Sequence, residues 1–321
     1  MKKITKIILG TAGGIGAAIV AEAAVIFDLG FRKASFRQME RLLEENAEDP
    51  AFYEKIKEGI AWYGRQKVRE VSVTAYDGLT LRGHYIENPD AKRTVICFHG
   101  FKSHALYDFG TVMRFYSEAG CSLLLTEQRG HLISDGEYVD MGILARHDVL
   151  TWTRYANKEL GAAGKPVYLS GISMGAATIL MASEFELPEN VTGMIADCSY
   201  SDTWEEVRYF GITRHAFPVD VLMPVVNKLC FFIAGFSLKD AAPKRALKRA
   251  KLPILFFHGT ADTLVPIRNS YENYAYCAAD KKLILVDGAE HIQAYYTEPE
   301  TYEREVAAFF DEHDAVPEEK S

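Results

Sequence analysis

The chain lacks a surplus of positive charge. Lysine and arginine number 36 against 44 aspartates and glutamates, a net charge of −8 with a pI near 5.7. Without a basic face to neutralise phosphates, a nucleic-acid partner is excluded as a reading. Cysteine is sparse: Cys97, Cys121, Cys198, Cys230 and Cys277 are odd in number and scattered, with no C-x-x-C pair. This excludes a disulfide framework and a thiolate metal site, and predicts buried, inert thiols. No H-E-x-x-H spacing occurs, and His99, His131 and His258 fall in turns, so no metal is expected. No glycine-rich phosphate loop follows the first parallel strand, which excludes a nucleotide; no cofactor is expected. Internal repeats and low-complexity tracts are also missing.

What is present is a globular composition, 48% hydrophobic and 25% charged over 321 residues. That suits one large α/β domain carrying an insertion. Residues 1–33 read as an N-terminal membrane anchor or signal segment. Lys2, Lys3 and Lys6 precede an apolar run from Ile7 to Phe27, interrupted by Thr11 and Glu22. Its roughly 21 residues, rising about 1.5 Å each, just span a hydrocarbon core of about 30 Å. The expectation is a single-pass anchor in the cell membrane with the remainder outside the cytoplasm. Cleavage at Ala21-Glu22-Ala23 with secretion is one alternative, and an apolar helix docked on the domain is another.

Residues 34–66 read as a helical lead-in, with Phe36, Met39, Leu42, Leu43, Phe52, Ile56 and Ile60 at mostly helical spacing and Pro50 dividing two helices. An α/β domain is expected over 67–313, followed by a frayed tail at 314–321. It opens with two alternating strands joined at Tyr76-Asp77-Gly78. Continuous apolar runs then alternate with helical stretches: Thr94–Phe98, Ser122–Thr126, Val167–Ser170, Val191–Ala196, Pro253–Phe257 and Leu283–Val286. This rhythm predicts a mostly parallel eight-stranded sheet with helices on both faces and an antiparallel pair at its start. Residues 201–251 break it with an aromatic-rich helical insertion between strands 6 and 7, placed where a cap would cover the strand ends.

Sites in such sheets lie at the carboxyl ends of strands. Gly171-Ile172-Ser173-Met174-Gly175 sits between a strand and a helix, the setting in which a serine hydroxyl is exposed on a tight turn. His99-Gly100-Phe101 follows another strand, and the N–H groups of Phe101 and Met174 are the two candidate oxyanion donors. Asp262 follows a third strand and His291 the last one. Each residue alone has a structural explanation, but the chain order Ser173, Asp262, His291 matches serine, acid and base. Asp197, one strand earlier, is the competing acid.

With these residues in view, the chain resembles the α/β-hydrolase superfamily, and within it the Bem46/ABHD-like serine hydrolases of Gram-positive bacteria. The likeness covers about Val68 to Phe310. It rests on His99-Gly100-Phe101, Glu127-Gln128-Arg129-Gly130-His131 with Ser134-Asp135-Gly136, Gly171–Thr178, Ala196-Asp197-Cys198-Ser199-Tyr200-Ser201, and His258–Pro266. It implies the α/β-hydrolase fold, a helical cap at 201–251 and, in many members, an N-terminal membrane anchor. Leu132-Ile133 before Ser134 departs from the smaller residues usual there. The expected activity is hydrolysis of carboxylic esters with apolar acyl or aryl groups, monoacylglycerol-like esters included, on a small-molecule substrate. A serine peptidase acting on short peptides is the alternative, and a non-catalytic binding protein on the same fold is the alternative of another class. Oligomeric state is not legible.

Overall fold

The computed structural model describes residues 2–45, 49–214 and 218–315. Three helices come first: α1 (Lys2–Phe31), α2 (Phe36–Glu45) and α3 (Pro50–Tyr63). The helix α3 starts where Asp49 accepts hydrogen bonds from the N–H groups of Ala51 and Phe52, with Pro50 in the first turn. Next come β1 (Val68–Thr74), β2 (Thr80–Ile86), β3 (Arg93–Phe98), α4 (Ala105–Asp108), α5 (Met113–Glu118) and β4 (Cys121–Glu127). They are followed by α6 (Ala145–Glu159), β5 (Val167–Ile172), α7 (Met174–Ala182) and β6 (Val191–Asp197). Between β6 and β7 lie α8 (Thr203–Arg214), α9 (Val219–Leu229), a π-helical turn at Cys230–Ala234 and α10 (Pro243–Ala246). The chain ends with β7 (Ile254–Gly259), α11 (Arg268–Tyr276), β8 (Lys281–Val286), α12 (Ala294–Thr297) and α13 (Pro299–His313).

The eight strands form one sheet in the order β1-β2-β4-β3-β5-β6-β7-β8. The pairs β1–β2 and β2–β4 are antiparallel and the rest parallel. Period-two alternation divides the apolar strands between two cores. Ile96 and Phe98 of β3 and Val167 and Leu169 of β5 face the layer of α6 and α7, beside Trp152 and Leu180. Val95, Cys97, Tyr168 and Ile172 face the opposite layer, with Tyr116 of α5 and Tyr302 and Phe310 of α13. Burial on both faces explains why β3 to β7 read as unbroken apolar runs. All five cysteines are free and buried.

The N-terminal helix makes protein contacts where its side chains are described. Among the described residues no helix is long and apolar enough to cross a membrane. From residue 16 onward one face of α1 packs on the insertion, while Val20, Val25 and Leu29 are exposed. Ala23, Phe27 and Phe31 are buried with Leu222, Met223 and Phe236. Two smaller expectations change. The stretch near Tyr107–Ala119 is two short helices, because the chain turns at Phe109 and Gly110. Asp314 is not frayed: Arg93 Nε donates to it at 2.9 Å and Tyr168 OH at 3.1 Å. The rest of the expected tail, 316–321, lies outside the described residues.

Candidate active site

Ser173 sits between β5 and α7 with φ 55° and ψ −118°, a conformation L-residues rarely adopt. Strand and helix cross so closely that a Cβ on Gly171 would lie 2.5 Å from the Gly175 backbone, and one on Gly175 1.8 Å from the Phe98 carbonyl oxygen. Only glycine leaves room on both sides of the serine. The turn is tied down by the Ser173 N–H, which donates to the Asp197 carbonyl at 2.9 Å.

Loops after β7 and β8 bring the other two residues to it. His291 Nε2 lies 2.9 Å from Ser173 Oγ, and His291 Nδ1 lies 2.7 Å from Asp262 Oδ2. Asp262 is itself oriented: its Oδ1 accepts from the N–H groups of Leu264 at 2.9 Å and Val265 at 2.8 Å. Burial alone would raise the Asp262 carboxyl. The facing His291 charge and hydrogen bonds from His258 and His291 outweigh it and hold Asp262 well below the usual carboxylate range. For His291, burial disfavours the cation, yet the charge and hydrogen bond of the Asp262 carboxylate push the imidazole above its usual value. The Cys198 thiol is itself pushed up to about 12 by burial, so it is neutral near pH 7 and Asp262 is the charge that His291 faces. Asp197, the competing acid, makes no hydrogen bond to His291; burial raises it to about 6.

The two candidate donors come from different elements: Phe101 lies in the loop after β3, where a Cβ on Gly100 would be 3.3 Å from the Ser173 Cβ, and Met174 is the first residue of α7. Among the described residues neither is taken by an acceptor. Their neighbours are held: Gly100 N–H donates to Asp108, and Lys102 N–H donates to His131 Nε2 at 3.1 Å. His99 and His131 are thus loop supports, His99 Nε2 accepting from the Gln128 N–H at 3.0 Å. His258 bonds Ser270 and Val265 behind Asp262. Among the described residues two groups of possible metal ligands cluster. Cys198, Asp262 and His291 form one, where the imidazole–carboxylate hydrogen bond already joins two members; Asp280, Glu312 and His313 form the other, mostly exposed.

Ser173 opens into a cavity of about 330 Å³ between the sheet end, α8, α9 and α1. Phe101, Phe210 and Met223 line it, and so do Val25, Ile26 and Leu29 of the N-terminal helix. Sequence reasoning put an anchor or signal segment first for α1, with docking on the domain as an alternative, and did not foresee that it lines this cavity. It also missed Glu206 of α8, which lines the same cavity and is 9% exposed. Its carboxyl has no hydrogen-bond partner among the described residues, and burial pushes it up to about 7. A glutamate in a helix of mixed composition carries no sequence signal of facing inward.

The Hydrolase_4 family, described as serine aminopeptidase, S33, matches residues 89–230, a span that includes Phe101 and Ser173 and ends before Asp262 and His291. The chain is 24% identical over 249 residues to YqkD of Bacillus subtilis (strain 168), covering 77% of this chain and 80% of that protein. It is 23% identical over 232 residues to YfhR of Escherichia coli (strain K12), covering 70% and 74%. Among solved structures it is similar to the Pyrococcus furiosus esterase Pf2001, with a TM-score of 0.61 and 20% identity over 78% of this chain and 92% of that one. Est1E from Butyrivibrio proteoclasticus, solved with ferulic acid bound, is similar at a TM-score of 0.61 and 19% identity, covering 76% and 98%. Its strand order, its strand–serine–helix turn and these likenesses show that the chain has the α/β-hydrolase fold.

Proposed function

We propose that the protein is a serine hydrolase, of the Bem46/ABHD-like kind, that cleaves carboxylic esters with apolar acyl or aryl groups. The observation that carries this reading is the hydrogen-bonded series Ser173–His291–Asp262 opening on an apolar cavity. His291 Nε2 takes the Ser173 proton as Oγ attacks the ester carbonyl carbon. The developing oxyanion is received by the N–H groups of Phe101 and Met174. The tetrahedral species collapses, His291 hands its proton to the departing alcohol, and an acyl-enzyme is left. Water, deprotonated by His291, attacks the acyl carbonyl; the bond to Ser173 Oγ breaks as His291 returns that proton to it, and the acid is released. Asp262 holds the imidazole tautomer and stabilises its cation throughout. The insertion and α1 act as the cap that surrounds the acyl group.

A fluorophosphonate probe is expected to label Ser173 in the full chain, and 4-nitrophenyl esters are expected to be cleaved. Failure to label favours a non-catalytic binding protein. A second reading, cleavage of short peptides, is favoured by Glu206 and Glu22, carboxylates lining the cavity that suit a cationic amino terminus. Aminoacyl-naphthylamides cleaved faster than esters would establish that reading over the first.

The rate should also follow the charge of His291. The protonated imidazole cannot accept the serine proton, and its pKa is raised in the folded protein. The ester kcat/KM is therefore expected to rise with pH through a midpoint above the ordinary imidazole value of about 6.5. A midpoint below that value would show that burial outweighs the Asp262 charge at His291.

A further inference from the structure

The N-terminal helix and the loop that carries the Phe101 amide meet at one residue. Lys102, adjacent to that donor in the chain, has φ 48°, an uncommon conformation for a side chain with a Cβ. Two bonds hold it there. Its N–H donates to His131, and its ammonium donates to the Leu29 carbonyl near the C-terminal end of α1. A cation there also complements the negative end of the helix. The same end of α1 is pinned to the loop that bears His131. Val139 N–H donates to the Phe31 carbonyl at 2.7 Å, Lys33 N–H to the Glu137 carbonyl at 2.8 Å, and Lys33 Nζ to the Ser134 carbonyl at 2.6 Å. Phe27 packs on Phe31 and Tyr138, with ring centroids 6.0 and 5.3 Å apart. Helix, loop and oxyanion donor therefore form one closed set of contacts.

We propose that Lys102 is a positioning residue that couples the seating of α1 to the aim of the Phe101 N–H, so that the N-terminal helix completes the catalytic unit. The proposal rests on the hydrolase reading above. With α1 unseated, the ammonium loses its acceptor, the loop relaxes from its positive φ, and the amide no longer points at the oxyanion. The acyl wall formed by Val25, Ile26 and Leu29 is lost at the same time.

The test uses the full chain and the variants Lys102→Met, Lys102→Arg, Phe27→Ala and Lys102→Met/Phe27→Ala. Losing an oxyanion donor outright lowers kcat about 10²–10³-fold, so a mis-aimed one is expected to cost ~10-fold. Lys102→Met should lower kcat on 4-nitrophenyl acetate by that factor with KM little changed, because acetate is too short to need the α1 wall. Lys102→Arg should recover most of it, since a guanidinium still reaches the carbonyl. Phe27→Ala should reproduce the loss from a site that touches no substrate, and the double variant should lose no more than the larger single, as residues acting through one contact do. Hydrogen exchange at residues 99–104 should accelerate in Lys102→Met and in Phe27→Ala, a readout independent of turnover. Unchanged exchange, additive losses or a Lys102→Met kcat equal to the parent would overturn the coupling. Accelerated exchange in a chain whose Ser173 takes no fluorophosphonate would keep the coupling and remove the hydrolase reading instead.

Discussion

Ser173→Ala is expected to lower kcat on 4-nitrophenyl butyrate by about 10⁵-fold or more, the scale seen when a hydrolase nucleophile is removed. The residual rate would come from the oxyanion donors and the cavity, which the substitution leaves in place. Stability should not fall. The side chain loses one hydrogen bond to His291, and alanine fits the turn as serine does, since both carry one Cβ at φ 55°. The cost of that backbone conformation is therefore equal in the two proteins. Thermal unfolding and burst kinetics separate the outcomes: a variant that melts like the parent, lacks an acyl-enzyme burst and turns over ~10⁵-fold more slowly fits Ser173 as nucleophile. Full retained turnover would assign the chemistry to another group. Asp262→Asn should fall short of this loss, because the imidazole stays in place with the wrong tautomer favoured.

Arg129→Met is expected to destabilise the fold by about 3–5 kcal/mol, the cost of removing one partner from a buried ion pair. Arg129 is 3% exposed, and its guanidinium meets Asp148 through Nε at 2.6 Å and Nη2 at 2.7 Å. Its Nη1 reaches Asp77 at 2.7 Å, and Asp140 lies 4.0 Å away. Methionine would fill part of the volume and leave those carboxylates without a counter-charge. At about 2–4 °C per kcal/mol for a domain of this size, the melting temperature should drop roughly 10 °C. The sign of the pH dependence follows from Asp148. Burial raises it to about 6 even beside Arg129, above its unfolded value, so the folded state holds this proton more tightly than the unfolded one. Stability from this group falls as pH rises through about 6, and falls further in the variant, where the opposing cation is gone. The deficit of Arg129→Met relative to the parent should be largest above pH 7 and shrink toward pH 5. A pH-independent deficit in thermal melts would locate the loss in packing. Because Arg129 precedes Gly130 and His131, the same variant should loosen the loop that supports Lys102.

Much of this was legible along the chain because it depends on local rules. The strand runs from Thr94 to Val286 are continuous and apolar, and such runs form only where both faces of a sheet are covered. Glycines two residues either side of Ser173 mark a crossing too tight for a side chain. Chain order placed an acid and a histidine at later strand ends. The distances of 2.7 and 2.9 Å that join them required the β7 and β8 loops to converge, which no spacing reveals. Chain order alone favours Asp262 over Asp197, and the contact of His291 Nδ1 with Asp262 belongs to the tertiary structure.

The least legible part was the wall of the cavity. A helix whose apolar residues face a bilayer and one whose apolar residues face α9 have the same composition, because both environments exclude water. Sequence by itself determined the sheet, the turn that carries Ser173 and the three residues placed at its strand ends. Tertiary structure alone decided that Ala23, Phe27 and Phe31 bury against the insertion, that Glu206 points inward and that Lys102 joins helix to loop. These depend on which surfaces meet across many residues of separation, and a pattern read along one segment holds no information about its partner.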